Sequence, residues 1–214
     1  MLPCALRTRL VCAGQVRGWL PARIMRCSAA IVLASVVPLV AVAQSLQPLE
    51  PIATELLEMR APAQPGWSIR QKTQSRVTLA RPGFGPDGTL AAMAIAFGIE
   101  PPRSKEHFLE QIRAGIETDT PADRFIKIQS ELMYEETRGY PCARYRAISE
   151  DRNAKTVSGE MKVLKMQDHS LYCIYPFAQG AAFVAGYSHR GKELHSGFDA
   201  EAREFIESVK PRAR

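Results

Sequence analysis

Two cysteines in the second half of the chain offer the most definite chemistry in this sequence. Of the five cysteines, only Cys142 and Cys173 lie beyond residue 27. An even number of thiols in an exported chain predicts a disulfide, and the alternative is two small buried apolar side chains. If the strands predicted below form a simple meander, one strand separates the two cysteines by about 9.5 Å. A disulfide tolerates at most about 7 Å between Cα atoms, so the bond requires another strand order or a Cys142 that lies beyond the paired region.

A hydroxyl and an imidazole stand side by side in the segment GYSHRG at residues 186–191. Ser188 and His189, with His195 nearby, contain the groups of a small hydrolase, which is the alternative function. The segment is not a nucleophile elbow, and adjacent strand residues point to opposite faces, so we expect no catalytic residue here. Glu193 stands between the two histidines, but their spacing fits no zinc pattern, and we predict no metal and no cofactor.

Four basic residues form the candidate binding site. Arg144 and Arg146 share a strand face with Cys142, and Arg190 and Lys192 follow another strand. If these faces converge, they favour an anion such as a carboxylate, a phosphate lipid headgroup or a cell-wall polymer. The alternative is a solvated face whose long side chains cover apolar surface.

The positive charge of the chain belongs largely to its first 43 residues. That segment carries five arginines and none of the 22 acidic residues, out of a formal net charge of +6. The remainder is close to neutral, so it has no global electrostatic reason to bind nucleic acid. An envelope protein, a lipid or a cell-wall polymer is the expected class of partner.

The first 43 residues are typical of a signal peptide. A basic stretch ends at Arg26, an apolar run covers residues 28–42, and the small-x-small sequence AVA predicts cleavage between Ala43 and Gln44. The apolar run is shorter than the ~20 residues of a membrane-spanning helix, although an uncleaved anchor stays the alternative. Translation from Met25 would leave a compact signal peptide, so the start of the chain is open. We therefore predict a periplasmic or secreted protein.

The rest of the chain divides at residue 66. Residues 44–65 are rich in Pro and Ala, and the spacing of Ile52, Leu56 and Met59 predicts a short helix over residues 52–60. Residues 66–210 are predicted to form one domain, followed by a basic tail at residues 211–214.

The pattern of that domain predicts an α+β fold. Strands are predicted at residues 76–81, 89–99, 124–137, 142–149, 156–166, 171–176 and 181–188, with turns at residues 150–155 and 167–170. Ser104 is predicted to cap a helix that ends near Thr118, and Asp199 to cap a second one that ends near Val209. Short connections favour antiparallel pairing. We expect an antiparallel sheet of about six strands with two main helices packed on it.

This layout resembles the PsbP-like and DcrB-like group of secreted or lumenal proteins. The shared features are Gly66-Trp67, the segment YSHR at residues 187–190 and the closing helix with Phe205 and Ile206. The resemblance covers about residues 66–210 and implies a non-enzymatic accessory or binding module, with no catalytic residue carried over. The predicted function is therefore an exported, non-catalytic accessory or binding protein of unknown ligand, with a subunit of an envelope or secretion complex as a further alternative.

Overall fold

A computed structural model of the chain describes residues 45–156 and 159–213. The order of elements is β1 (Pro51–Ala53), β2 (Leu57–Arg60), β3 (Ser68–Lys72), β4 (Arg76–Pro82), β5 (Thr89–Gly98), α1 (Lys105–Asp119), β6 (Phe125–Glu135), β7 (Cys142–Lys155), β8 (Met161–Ile174), β9 (Ala181–Gly191), α2 (Phe198–Ser208) and β10 (Lys210–Pro211). The predicted cleavage site at Ala43 and Gln44, and the whole predicted leader, lie outside the described residues. Among the described residues, neither helix is long and apolar enough to cross a membrane.

The strands form two antiparallel sheets. The larger has the order β3-β4-β5-β9-β8-β7-β6, and the smaller has the order β1-β2-β10. The α+β prediction with about six strands is therefore wrong: the described chain is mostly β, with ten strands and only two helices.

Two segments account for most of this error. The predicted helix over residues 52–60 is instead the hairpin of β1 and β2, in which Ile52 pairs with Met59. Leu57 and Met59 are buried while Glu58 and Arg60 are exposed, the period of two that a strand requires. The other segment, β3, is the polar sequence SIRQK, which has too little apolar alternation to predict a strand.

A third difference changes the strand order near the cysteines. Most residues of the predicted strands at 156–166 and 171–176 belong to one continuous strand, β8, and the predicted turn at 167–170 lies inside it. The predicted turn at 150–155 is also wrong, because these residues belong to β7. The sequence QDHS contains no Gly, Pro or Asn, the residues that favour a tight hairpin turn. As a result, β7 pairs directly with β8 along their whole length.

The two helices pack on opposite faces of the large sheet. On the α2 face, Phe198, Ala202, Phe205 and Ile206 join a continuous apolar core that also includes Trp67, Leu79, Leu90, Phe183 and Tyr187. The small sheet contributes Ile52, Leu57 and Met59 to the same core. On the α1 face, a smaller cluster unites Phe108, Ile112 and Ile116 with Ala143 and Tyr145.

Both helices begin near the predicted residues. Ser104 caps α1 and accepts a hydrogen bond from the backbone N–H of His107, as its residue type predicts. The N-cap of α2 is Gly197 rather than Asp199, which lies in the first turn instead. Glu201 also lies in the first turn of α2, and its side chain accepts a hydrogen bond from Tyr187 of β9.

Candidate functional site

Two loops at one end of the α2 face enclose a cavity of about 430 Å³. One loop joins β4 to β5, and the other joins β9 to α2. The lining residues are Phe84, Gly85, Pro86, Asp87, Gly88, His189, Lys192, Glu193, Leu194, His195 and Ser196. The Pro- and Gly-rich sequence of the first loop predicts its tight path. A Cβ on Gly88 would lie 2.3 Å from the carbonyl oxygen of Phe84, so only glycine fits there.

The floor of the cavity includes His189, which is 1% exposed. His189 lies near the end of β9, opposite Gln167 of β8. The amide oxygen Oε1 of Gln167 accepts a hydrogen bond of 2.6 Å from the backbone N–H of His195, and its Nε2 lies 3.4 Å from the carbonyl oxygen of the same residue. Gln167 therefore holds the β9–α2 loop against β8 through both atoms of its amide.

The position of Gln167 also fixes the tautomer of His189. Nδ1 of His189 lies 3.2 Å from Oε1 of Gln167, and that oxygen can only accept. A flipped amide would bring its NH₂ group against the N–H of His195. Nδ1 therefore carries the proton of the neutral ring and donates a hydrogen bond to Gln167. Nε2 is left unprotonated, with its lone pair able to accept a hydrogen bond.

Glu201 of α2 joins the histidines to the rest of the core. Its Oε1 accepts from Nε2 of His195 at 2.9 Å, and its Oε2 accepts from the hydroxyl of Tyr187 at 2.6 Å. The Arg81 guanidinium lies 3.5 Å from Oε2, and both side chains are mostly buried. This network of hydrogen bonds holds the His195 side chain in its position beside the cavity.

Burial controls the protonation of this network. Desolvation lowers the pKa of His189, and the electrostatic effects of His195 and Arg81 act in the same direction, while Glu201 opposes them. Burial and the hydrogen bond to Glu201 raise the pKa of Tyr187. His189 is thus held neutral near pH 7, in agreement with the tautomer that its contacts require.

One polar atom of the floor has no protein partner. Nε2 of His189 is buried and makes no hydrogen bond to any of the described residues. A buried acceptor without a donor costs about 1–3 kcal/mol. Such an atom beside a cavity is typical of a site that is completed by another molecule.

The rim of the cavity is apolar and exposed. The Phe84 side chain is 61% exposed and its ring lies 4.7 Å from the His195 ring, centroid to centroid. Leu194 on the opposite loop is 43% exposed. Lys192 is exposed at the same rim, and none of the ion pairs of the described residues includes it.

The four predicted anion-binding residues do not converge. Arg144 and Arg146 lie on the α2 face of β7, whereas Arg190 lies on the α1 face of β9 and Lys192 lines the cavity. Arg144 makes two bonds of 2.8 Å to the carboxylate of Glu135 on the neighbouring strand.

Arg146 and Arg190 also lie beside side chains other than the predicted anion-binding residues. Arg146 lines a second, smaller depression with His169 and Asp199. Arg190 lies 3.4 Å from the Asp151 carboxylate, which also accepts two bonds from Arg124. Arg190 is separated from the other three cations because side chains alternate between the two faces of a strand. Lys192 is apart from Arg144 and Arg146 because it lies in the β9–α2 loop beside the cavity.

Ser188 lies on the α1 face, away from both histidines of the cavity. Across β8 its neighbour is Asp168, and across β5 it is Ala91. Among the described residues, no hydrogen bond joins a serine hydroxyl to His189 or His195. Within residues 45–156 and 159–213, no group of three or more His, Cys, Asp or Glu side chains is arranged to hold a metal ion.

Cys142 and Cys173 form a disulfide between β7 and β8. They are a directly opposed pair, with Cα atoms 4.1 Å apart, and both are fully buried in the core of the α2 face. The strand that was expected to separate them does not exist, because residues 161–174 form one strand. The predicted disulfide is therefore confirmed, and the strand order resolves the geometric conflict noted in the sequence.

Sequence reasoning missed the polar residues Arg81, Gln167, Tyr187 and Glu201 beside the cavity, and the apolar rim residues Phe84 and Leu194. Gln167 was expected in a turn, and the absence of Gly, Pro and Asn from residues 167–170 was the available signal. Glu201 and Arg81 carried no signal, because each is an ordinary charged residue until the fold brings it to the histidines.

Comparison with known proteins adds little to this geometry. No family model and no curated protein matches the chain. A crystal structure of a protein from Bacteroides thetaiotaomicron VPI-5482 is similar at a TM-score of 0.43 and 14% identity, covering 79% of this chain and 50% of that one. The chain thus spans about half the length of that protein.

Proposed function

We propose that this protein is an exported, non-catalytic binding module, and that the cavity between the β4–β5 and β9–α2 loops is its ligand site. The observation that carries the proposal is the cavity itself, with an exposed apolar rim and a floor of buried histidine. Its volume lies within the range of about 300–1,000 Å³ that is usual for small-molecule sites. The ligand we expect is a small molecule with a substantial apolar part.

Several contacts favour binding over hydrolysis. The nucleophile of the alternative, Ser188, belongs to the opposite face of the sheet from His189. The Nε2 of His195 is already bonded to Glu201, so that nitrogen is not available as a base for a substrate. A rigid, hydrogen-bonded floor suits a site that recognises a ligand by shape.

Export is supported by the leader pattern and by the disulfide. Cys142 and Cys173 are the only two cysteines after the predicted leader, and they bond to each other. Disulfides persist in oxidising compartments such as the bacterial periplasm. The PsbP-like and DcrB-like resemblance, which agrees with an exported accessory role, stays a prediction.

The test of export uses mass spectrometry under non-reducing conditions. The full-length gene is expressed in a Gram-negative host and the product is purified from the fraction where it accumulates. We expect a periplasmic protein that begins at Gln44 and lacks two hydrogens relative to its dithiol form. An unprocessed chain in the cytosol would contradict export.

The test of ligand binding uses the same preparation and a pair of matched variants. Leu194→Trp places a bulky ring at the rim, and Ile128→Trp makes the same change at an exposed residue of β6. We expect native mass spectra of the wild type and of Ile128→Trp to retain a small non-covalent adduct that Leu194→Trp loses. In titrations with 1-methylindole, amide shifts should centre on residues 84–88 and 192–196. If there is neither an adduct nor a shift, the binding function is wrong.

A further inference from the structure

The tautomer of His189 restricts the chemistry of the ligand. Nδ1 donates to Gln167, whose amide orientation is fixed by the backbone N–H of His195. Nε2 is therefore an acceptor and cannot donate. A carboxylate or a carbonyl oxygen placed beside Nε2 would be repelled by the lone pair of that nitrogen. A hydroxyl or an N–H group could instead donate a hydrogen bond to it.

Gly191, the last residue of β9, lies against the Nε2 edge of the ring. A Cβ built on it would lie 3.0 Å from both Nε2 and Cε1 of His189, which is closer than ordinary van der Waals contact. The backbone at Gly191 therefore covers this edge of the ring from one side. The carbonyl oxygen of Glu193 lies 3.6 Å from the same point and adds a second acceptor nearby.

The charges around His189 favour a neutral donor. Arg81 and His195 oppose positive charge at the ring, whereas Glu201 favours it. Lys192 at the rim is a further cation without a partner among the described ion pairs. Because burying an uncompensated charge costs far more than burying a neutral hydrogen-bonded group, an ammonium or guanidinium group is disfavoured.

We propose that the ligand is a neutral small molecule that donates one hydrogen bond, from a hydroxyl or N–H group, to Nε2 of His189 and packs an apolar ring against Phe84 and Leu194. This inference rests on the proposed binding function of the cavity and names its ligand class. Nε2 is covered in this structure, so the proposal requires the exposed residues 192–194 of the β9–α2 loop to move aside when the donor binds. Nε2 is also remote from bulk water, which strengthens the bond it forms.

The experiment compares two probes that differ only in the donor. Indole is a neutral ring with one N–H, and 1-methylindole has the same ring without it. Dissociation constants are measured from amide chemical shifts of the purified product of the full-length gene. The histidine side chains of this preparation are also ¹⁵N-labelled. We expect indole to bind about fivefold more tightly than 1-methylindole, the effect of one net hydrogen bond. The Nε2 resonance of His189 should start as that of an unprotonated nitrogen and move on addition of indole alone.

Two variants separate the donor contact from general packing. His189→Phe removes the acceptor and should make the two probes bind equally. Phe84→Ala should weaken both probes by a similar factor.

The outcomes distinguish this inference from the function on which it rests. If both probes bind the cavity equally in the wild type, or if His189 is protonated at Nε2, the donor inference is wrong and the binding site stands. If neither probe binds and no adduct is retained, the binding function itself is wrong. The wild-type nitrogen resonance tests the tautomer even if His189→Phe fails to fold.

Discussion

The two faces of the seven-stranded sheet bury their polar groups in different ways. On the α2 face, a continuous apolar core ends in a hydrogen-bonded cluster of Arg81, Gln167, Tyr187, His189 and Glu201 beside a cavity. On the α1 face, the apolar cluster is smaller. The buried carboxylate of Asp151 on that face forms ion pairs with Arg124 and Arg190. The candidate site therefore lies on the face with the larger core, where packing can hold the buried His189 in one tautomer.

The largest expected difference between the faces is in core packing. Phe205→Ala on the α2 face should lower the free energy of unfolding by about 4 kcal/mol, because it removes a buried ring from the larger cluster. Phe108→Ala on the α1 face should cost about 3 kcal/mol, since fewer buried residues surround that ring. Urea denaturation measures both. A larger loss for Phe108→Ala would reverse the ranking of the two cores.

The disulfide also contributes to the α2 face. The variant with both Cys142→Ala and Cys173→Ala should lose about 3 kcal/mol, chiefly because the unfolded chain gains conformational freedom. The same urea experiment, run with and without reductant on the wild type, provides the control. Because both cysteines are fully buried, the folded wild type should resist reduction under native conditions. Rapid reduction of the folded protein would contradict the burial.

The ion pairs of the α1 face can be tested at their centre. Asp151→Asn should cost about 2 kcal/mol, because the buried carboxylate holds Arg124 and Arg190 together and its loss leaves two charges without a partner. The Arg124 guanidinium keeps the pKa of Asp151 below its usual range, aided by Arg190. Arg124→Gln is the matched comparison and should cost less, because that side chain is 41% exposed. Equal losses would show that exposure does not set the strength of this pair.

The smallest expected effect is the response to pH, and here the two faces should respond in opposite directions. Burial lowers the pKa of His189, so the unfolded state binds more protons below pH 6.5 and the stability from this group is lost as the pH falls through that value. Burial raises the pKa of Asp168 on the α1 face to about 6, against the hydrogen bond from Ser170. The folded state therefore binds its proton more tightly, and stability increases as the pH falls from about 6 towards 3.8.

Single variants should reveal the two opposing contributions to this pH dependence. His189→Phe should reduce the loss of stability below pH 6.5, to which the lowered pKa of His169 also contributes. Asp168→Asn should remove the gain below about pH 6. Urea midpoints measured from pH 4 to 8 are the readout for each variant and for the wild type. If both variants shift the pH profile in the same direction, one of the two assignments of burial is wrong.

Much of the fold could be anticipated where the local pattern was strong. The Ser104 cap and the stripe of Phe108, Ile112 and Ile116 follow from residue type and spacing. The disulfide was predicted from the even number of cysteines in an exported chain, while the predicted strand order argued against it. The errors occurred where a short apolar pattern fits both the period of a helix and the period of a strand. Residues 52–60 were predicted as a helix from a spacing of three and four, but the buried residues Leu57 and Met59 follow the period of two.

The candidate site was only partly visible in the sequence. His189 and His195 were recognised as near neighbours, yet the functions first considered for them were a metal site and a hydrolase. The residues that determine their chemistry are Gln167, 22 positions before His189, and Glu201 on the following helix. Neither has a local pattern, because a hydrogen-bonding partner across a sheet is selected by strand register.

The amino-acid sequence by itself determined several local features: the Ser104 cap, the apolar stripes of the two helices, several alternating strands, and a leader pattern that predicts export. These depend on neighbours within a few residues, so spacing alone specifies them. Only the tertiary structure decided that β7 and β8 are adjacent, that Arg190 and Ser188 face away from His189, and that the His189 ring has a bare nitrogen. Those features depend on contacts between residues far apart in the chain, whose register is set by the simultaneous burial of both faces of the sheet.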